Sequence, residues 1–383
     1  MPSREPIYLD HNATTPLLPE VVEAMLPYLR SEFGNPSSSH ASGRRARDAV
    51  ECARGQVARL LGSGPDEIFF TSGGTESNNL AIRGVAEATK RRHLITSVIE
   101  HPATTNPCLY LESNGWRVDW IAVDDRARVR VDVLAERLGE DTALVTIMHA
   151  NNETGTLQPI REIADLARGR GALVHTDAAQ TVGKIGTSVD ALGVDLLTVA
   201  GHKLNGPKGV GALYVRRGTP IRPFSLGAGH ERGLRPGTEN VASIVGLGVA
   251  CEVAMATSET RARALRELRD RLASALKTSI PGVKMNGHET EQLPNTLSIR
   301  FPHVSGADVL AATPEVAAST GSACHEGHET ASAVLLATGL STGDALQTVR
   351  LSVGTTTTRE DVDRAAEALV RAWQSVARRG SPP

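Results

Sequence analysis

The sequence predicts an α/β protein built on a mostly parallel sheet. Three observations carry that expectation. Five short apolar runs recur between residues 67 and 199, helix-spaced patterns lie between them, and each run ends in a polar, glycine-rich or ionisable cluster.

The runs are EIFFT (67–71), LITSVI (94–99), ALVTIMH (143–149), ALVHT (172–176) and DLLTV (195–199). They are rich in Val, Ile, Leu and Phe, and suit strands covered on both faces better than half-exposed ones. After the first run, Leu80, Ala81, Gly84, Val85 and Ala88 recur at helical spacing. Repeated strand–helix units of this kind argue for a parallel sheet. The pattern changes after about residue 255. Leu265, Leu268, Leu272 and Leu276 mark one face of an Arg-rich helix, and NTLSIRF (295–301) and VRLSV (349–353) read as strands. A closing helix carries Val362, Ala366, Leu369, Trp373 and Val376 on one face, with Thr358 and Asp361 as its capping box. The expected division is a large domain over 16–255 and a smaller α+β domain made of 1–15 and 256–383. Cys52 and Cys251 fall in helical patterns and read as buried packing residues.

Composition excludes several classes of function. At about 150 residues per domain, a chain of 383 suits two or three domains. Lys and Arg total 41 against 43 Asp and Glu, so the basic excess of a nucleic-acid binder is missing. Aromatic residues are 3%, too few for a base-stacking platform. None of the four cysteines lies in a CxxC pair, so no metal site is expected and a reducing cytoplasm fits. The start MPSREPIYLD has no basic segment followed by an apolar run, and no apolar stretch approaches 18 residues. Neither a secretory signal nor a membrane span is expected.

The clusters at the strand ends carry the chemistry, because ligands of open α/β sheets bind beyond the carboxyl ends of the strands. TSGGTES (71–77) joins a strand to a helix: its glycines admit close backbone approach, and the helix start offers free N–H groups to a phosphate. It is neither a nucleotide P-loop nor a GxGxxG loop. Lys203, in AGHKLNGPKGVG (200–211), follows an apolar strand and precedes a Gly/Pro-rich loop. A lysine whose stem is desolvated has a lowered pKa and can form a Schiff base with a carbonyl. Asp177, in HTDAAQ, ends the preceding strand and suits the pyridine nitrogen of pyridoxal phosphate. His101, in EHPA, is placed to stack on such a ring or to shuttle protons. Cys324, in STGSACHEGH (319–328), sits in a small, polar segment that predicts an exposed nucleophilic thiolate, flanked by His325 and His328.

With these residues assembled, the chain resembles the cysteine desulfurases of the class V aminotransferase group, with selenocysteine lyases as close relatives. The landmarks are YLDHNATTP, FGNPSSSH, FTSGGTESNNLAI, EHPA, MHANNETG, HTDAAQTVGK, GHKLNGPKGVGALY, GHERGLRPGTEN, STGSAC and LSVGTTTTREDVD, spread over nearly the whole chain. The resemblance implies a fold-type I architecture with a seven-stranded, mostly parallel sheet and pyridoxal 5'-phosphate as cofactor. It implies that Lys203 holds the cofactor. Gly74, Thr75 and His202 would bind its phosphate, and Thr238 would reach the phosphate of the neighbouring subunit in a homodimer. His101 would stack on the ring, Asp177 pair with its nitrogen, and Asn152 and Gln180 contact its phenolic oxygen. Arg350 would bind the substrate carboxylate, and Cys324 would accept sulfur from L-cysteine as a persulfide before passing it to an acceptor protein that the sequence does not name. Three features depart from the pattern. Ala200 stands where the family often has a serine that donates to the phosphate. The segment SACHEGH is more like selenocysteine lyases, which act on L-selenocysteine. The chain also stops soon after its last helix, without the longer tail that housekeeping members use on an iron–sulfur scaffold. A class V C–S lyase or transaminase is a further alternative, against which Cys324 argues.

Overall fold

The computed structural model describes residues 6–320 and 330–380. The chain opens with strand β1 (Ile7–Tyr8) and helices α1 (Pro19–Arg30) and α2 (Ala41–Leu61). Strand–helix units follow: β2 (Ile68–Thr71) with α3 (Gly74–Ala88), β3 (His93–Ser97) with α4 (Pro102–Ser113), and β4 (Arg117–Ile121) with α5 (Val131–Arg137). Then come β5 (Thr142–Thr146) with α6 (Ile160–Arg168), β6 (Leu173–Asp177) with α7 (Val189–Leu192), and β7 (Leu196–Ala200), which turns back into β8 (Gly211–Val215). The 39-residue α8 (Val241–Ser279) leads to β9 (Lys284–Met285), β10 (Thr296–Arg300), α9 (Gly306–Ala311) and β11 (Val316–Ala317). Helices α10 (Ala333–Ala337) and α11 (Thr342–Leu346), strand β12 (Thr348–Ser352) and helix α12 (Arg359–Gly380) complete the order.

The central sheet has seven strands in the order β2-β8-β7-β6-β5-β3-β4. All neighbours are parallel except β8, which is antiparallel to both β2 and β7. The five apolar runs therefore all point the same way, and their carboxyl ends share one edge. Two strands lay outside those runs. Strand β4 is one of the sheet's two edges; Arg117 is exposed and Asp119 half-buried, so it has no continuous apolar run. Strand β8 is fully buried but follows β7 after a short connection with no α-helix. A parallel crossover needs a dozen or more residues, usually with a helix, so an antiparallel return is the outcome.

Successive residues of the inner strands feed opposite faces. Ile95, Val145 and Leu197 pack with α2, α6 and the first half of α8, whereas Leu94, Leu144 and Leu196 pack with α3 and α4. Covering both faces explains why these strands read as unbroken apolar runs. A separate core gathers Leu265, Leu272 and Leu276 of α8 with Ile299, Leu351 and Leu369, together with Ile7 and Leu9 from the chain start. Above it lies the antiparallel sheet β12-β10-β9, while β1 pairs with β11 in parallel. Helix α8, about 58 Å long at 1.5 Å per residue, serves both cores.

Three expectations need correction or confirmation at this level. Cys251 is buried as expected, but Cys52 is exposed. The buried stripe of α2 runs through Ala46, Val50, Ala53, Val57 and Leu61, and Cys52 lies off that stripe. One helix, α8, is long and apolar enough by composition to cross a membrane, contrary to the sequence reading. Its apolar half packs against α1 and α2, with Leu247, Ala250, Cys251 and Ala254 buried in the first core. The capping box of α12 is present: Asp361 N–H donates to Thr358 Oγ1 and Thr358 N–H to Asp361 Oδ2, each at 3.1 Å.

Candidate active site

The shared carboxyl edge opens into a cavity of about 420 Å³. Gly74, Thr75, His101, Asn152, Asp177, Gln180, His202, Lys203 and Arg350 all line it. Nine residues singled out from sequence thus converge on one space. Two do not join them within the described residues. Thr238 is exposed and lines no part of this cavity, and Cys324, with His325 and His328, lies outside the described residues.

Each position follows from local structure. Strand β2 ends at Thr71, and the chain passes through Gly73 at φ +142°, a conformation open to glycine and rare for other residues, into α3. No side chain caps α3, so its first N–H groups are free toward the cavity. Strand β3 ends one turn before His101, the N-cap of α4, whose Nδ1 accepts from Ala103 N–H at 3.1 Å. That bond leaves the ring proton on Nε2. Strand β6 ends on Asp177 itself. Its Oδ2 accepts from Asn78 Nδ2 at 2.7 Å and its Oδ1 from Ala179 N–H at 2.9 Å. Strand β7 ends at Ala200, and a short 3-10 turn over Gly201–Lys203 delivers the lysine.

Lys203 donates to the carbonyl oxygens of Asn12 and, at 2.8 Å, Ala13. Burial and then the Arg350 charge bring its pKa down to about 8. His202 is held near 4, chiefly by burial and by Lys203, and His101 is also lowered, mainly by burial. Arg350 reaches the cavity from β12; its Nη2 donates to Asp10 Oδ1 at 2.7 Å and its Nη1 to the Asn152 carbonyl at 3.2 Å. The buried Nε–H has no partner among the described residues. Ala200 lines the cavity beside Gly74, where a methyl group stands in place of a hydroxyl donor.

Some residues of the site carried no role in the sequence reading. Asn12 is the chief one. Its carbonyl accepts from Lys203 and, at 3.0 Å, from Gln180 Nε2. Its side chain reaches Thr296 Oγ1 at 2.8 Å and accepts from Asn295 Nδ2 at 3.0 Å, tying the second core to the cavity. The motif YLDHNATTP was the available signal, but a motif does not reveal which atom faces the site. Glu100 is buried beside His101; burial pushes its carboxyl up to about 8, while Ser97 Oγ and Met148 N–H bond to it. Asn78, fully buried on α3, holds Asp177.

This donor set fits pyridoxal phosphate: an amine of lowered pKa for the aldehyde, a carboxylate for a basic ring nitrogen, and an uncapped helix start for the phosphate. A family model described as Aminotransferase class-V matches residues 7–365. The chain is 46% identical over 369 residues to a cysteine desulfurase IscS of Dictyoglomus turgidum, covering 95% of this chain and 94% of that one. Among solved structures, a NifS-like protein is similar with a TM-score of 0.91 at 38% identity, over 97% of this chain and 100% of the other. A structure described as SspA in complex with cysteine has a TM-score of 0.81 at 37% identity, over 90% of this chain and 98% of that one.

Proposed function

The chain belongs to the cysteine desulfurases of the class V aminotransferase family, and from that premise we propose that it converts L-cysteine to L-alanine and carries the sulfur away on Cys324 as a persulfide. It is a pyridoxal-phosphate enzyme. Lys203 would be its attachment point, Gly74, Thr75 and His202 would hold its phosphate, and Asn152 and Gln180 would contact its phenolic oxygen. When bound, the cofactor supplies an electron sink conjugated to the substrate α-carbon.

The protein's own groups do the rest. Arg350 binds the substrate carboxylate, its guanidinium oriented by Asp10 and the Asn152 carbonyl. Lys203, with its pKa near 8, takes the α-proton as a neutral amine at slightly alkaline pH. Asp177, gripped by Asn78 and the Ala179 N–H, would pair with the ring nitrogen and favour its protonated form. His101, with its proton on Nε2, lines the same cavity and would serve as a proton carrier. The Cys324 thiolate attacks the substrate sulfur; the C–S bond breaks, its electron pair goes to carbon, and protonation there completes alanine. Near-attack positioning of the two sulfurs supplies much of the rate enhancement.

The homodimer is part of this reading. Thr238 stands exposed and outside its own chain's cavity, as a residue serving a neighbour's phosphate would. The sulfur acceptor is a separate protein. The free thiols of Cys52, Cys108 and Cys251 suit a reducing cytoplasm.

The observation that carries the function is the half-buried Lys203, its amine of lowered pKa sharing one cavity with Asp177 and the uncapped start of α3. The test is to add L-cysteine to purified holoenzyme without reductant, weigh the Cys324 peptide and quantify alanine. One added sulfur on Cys324, in step with alanine, is expected. Alanine without sulfur on Cys324 would remove that residue as acceptor, and neither product would remove the activity.

A further inference from the structure

Thr238 belongs to a mostly exposed segment, 226–240, between β8 and α8. Three residues pin that segment to the chain that carries it. Glu231 is 5% exposed and accepts from both Nη groups of Arg54 on α2, at 2.7 and 2.8 Å. It also accepts from the Phe70 N–H of edge strand β2 at 2.8 Å. Leu234 is buried in the core beside α3 and α4. Arg235 reaches Glu76 in the first turn of α3, Nε to Oε1 at 2.9 Å. The first anchor holds strained backbone, since Glu231 and Arg232 have φ of 46° and 56°. Residues with a Cβ keep such angles only where their surroundings over-determine them.

The third anchor lands on the phosphate cradle. Glu76 follows Thr75, and its carboxylate also accepts from the Ser72 N–H in the β2–α3 turn. Burial would raise that carboxyl, but the bonds from Arg235 and Ser72 hold it below the usual carboxylate range. The Arg235 and Glu76 side chains are 23% and 15% exposed, so salt screens this pair less than a surface one. Pro236, with its φ fixed by the ring, follows Arg235 directly. The Gly237 N–H then donates to His230 Nδ1 at 3.2 Å and closes the segment into a loop just before Thr238. Beside the same turn lies a second opening of about 410 Å³, lined by Ser72, Gly73, Glu76 and Lys208. It shares Gly74, Thr75 and His202 with the main cavity, and Thr238 of the same chain lines neither. The phosphate residues thus border a gap that their own Thr238 does not fill.

We propose that Arg235 is a positioning residue: its ion pair with Glu76 fixes the segment carrying Thr238, so the phosphate cradle of one subunit sets the hydroxyl that completes its neighbour's. The proposal rests on the reading of Thr238 as a phosphate ligand of a second copy, and adds the residue that holds it in place. Breaking the pair leaves Glu76 its bond from Ser72 and leaves the Glu231 and Leu234 anchors intact. The loss therefore falls on the neighbour's site.

Mixed dimers of full-length chains test this, because covalent cofactor can be confined to one subunit. One chain carries Lys203→Ala and the other keeps Lys203. Pyridoxal phosphate is titrated onto cofactor-free dimers, fixed on Lys203 by borohydride reduction and counted by mass. Arg235→Gln on the Lys203→Ala chain, opposite the working site, should raise the dissociation constant roughly tenfold, the effect of losing one hydrogen bond to a charged group. The same substitution on the chain that keeps Lys203 should leave the constant essentially unchanged. Glu76→Gln opposite the working site should act as Arg235→Gln does, and the two together no more than either alone, as for the ends of one bond. It also serves if Arg235→Gln does not fold. A merely structural arginine would weaken binding equally from either chain, or from neither, and would overturn the proposal, as would a chain that stays monomeric. Thr238→Ala on the opposite chain separates the two readings. If it raises the constant while Arg235→Gln does not, the proposal alone fails; if it is silent, the reading of Thr238 fails and the proposal with it. Alanine from the unaltered enzyme reports the desulfurase reading independently.

Discussion

At the scale of single residues, the site works by assigning a fixed partner to each ionisable group. Asp177 is 8% exposed, and its carboxylate is held by one side chain and one backbone N–H. Asn78 contributes the side-chain bond and also donates to Thr104 Oγ1 at 3.1 Å. A hydrogen bond to a charged group contributes about 1.5–3 kcal/mol. Asn78→Ala should therefore weaken the hold on the ring nitrogen's partner, lowering kcat about tenfold or more while the cofactor stays bound. Steady-state alanine formation and the cofactor absorbance read the two effects independently; an unchanged kcat would mean that Asp177 needs no help from α3. Arg350 shows the same economy, since Asp10 and the Asn152 carbonyl take two of its five N–H groups and fix the plane of the guanidinium.

At the scale of elements, the phosphate cradle depends on how closely β8 passes beneath the β2–α3 turn. Gly211 opens β8, and a Cβ there would lie 2.5 Å from the Val199 carbonyl and 2.7 Å from Gly73 Cα. Neither backbone can yield without moving the cradle. Overpacking of this kind costs about 1–3 kcal/mol. Gly211→Ala should weaken pyridoxal phosphate binding at least about tenfold, measured by titrating cofactor-free protein and following absorbance. Undiminished affinity would show that the turn tolerates displacement. The antiparallel return of β8 is thus more than a topological exception, because it brings a glycine against the turn that starts α3.

At the scale of the whole molecule, burial of ionisable groups sets the dependence of stability on pH. Burial holds His11, His149 and His175 near 4 and lifts Glu100 to about 8. An unfolded histidine takes up its proton near 6.5, so between about 6.5 and 4 the unfolded chain binds more protons and stability falls with falling pH. Glu100 acts in the opposite sense: its folded carboxyl keeps a proton that the unfolded chain releases above about 4.3, so its contribution falls as pH rises toward 8. These three imidazoles, with His202 also near 4, outweigh one carboxyl, and the urea midpoint should drop between pH 6.5 and 4.5. Glu100→Gln removes the opposing group and should steepen that drop. A shallower drop in the variant would contradict the buried, protonated state of Glu100. On the alkaline side Lys184 and Lys203, lowered to about 7 and 8, add stability as pH rises from about 7 toward 10, because the unfolded lysines hold their protons longer.

The sequence by itself determined the α/β class, the five parallel strands and nine of the residues lining the cavity. Those are local matters: an apolar run, a helix spacing, or a motif at a strand end carries its meaning within a few residues. Edge strand β4 escaped because solvent on its flank breaks the apolar run, and Cys52 misled because one helical position differs from the next only by which face meets the core. Tertiary structure alone decided how the groups pair. The bond from Asn12 to Thr296 spans 284 residues and that from Arg350 to Asp10 spans 340. It also decided that Lys184 is buried, with no ion-pair partner among the described residues. A hydrogen bond or a desolvation cost exists only between atoms brought together by folding, so no local pattern announces which lysine is buried away from a carboxylate.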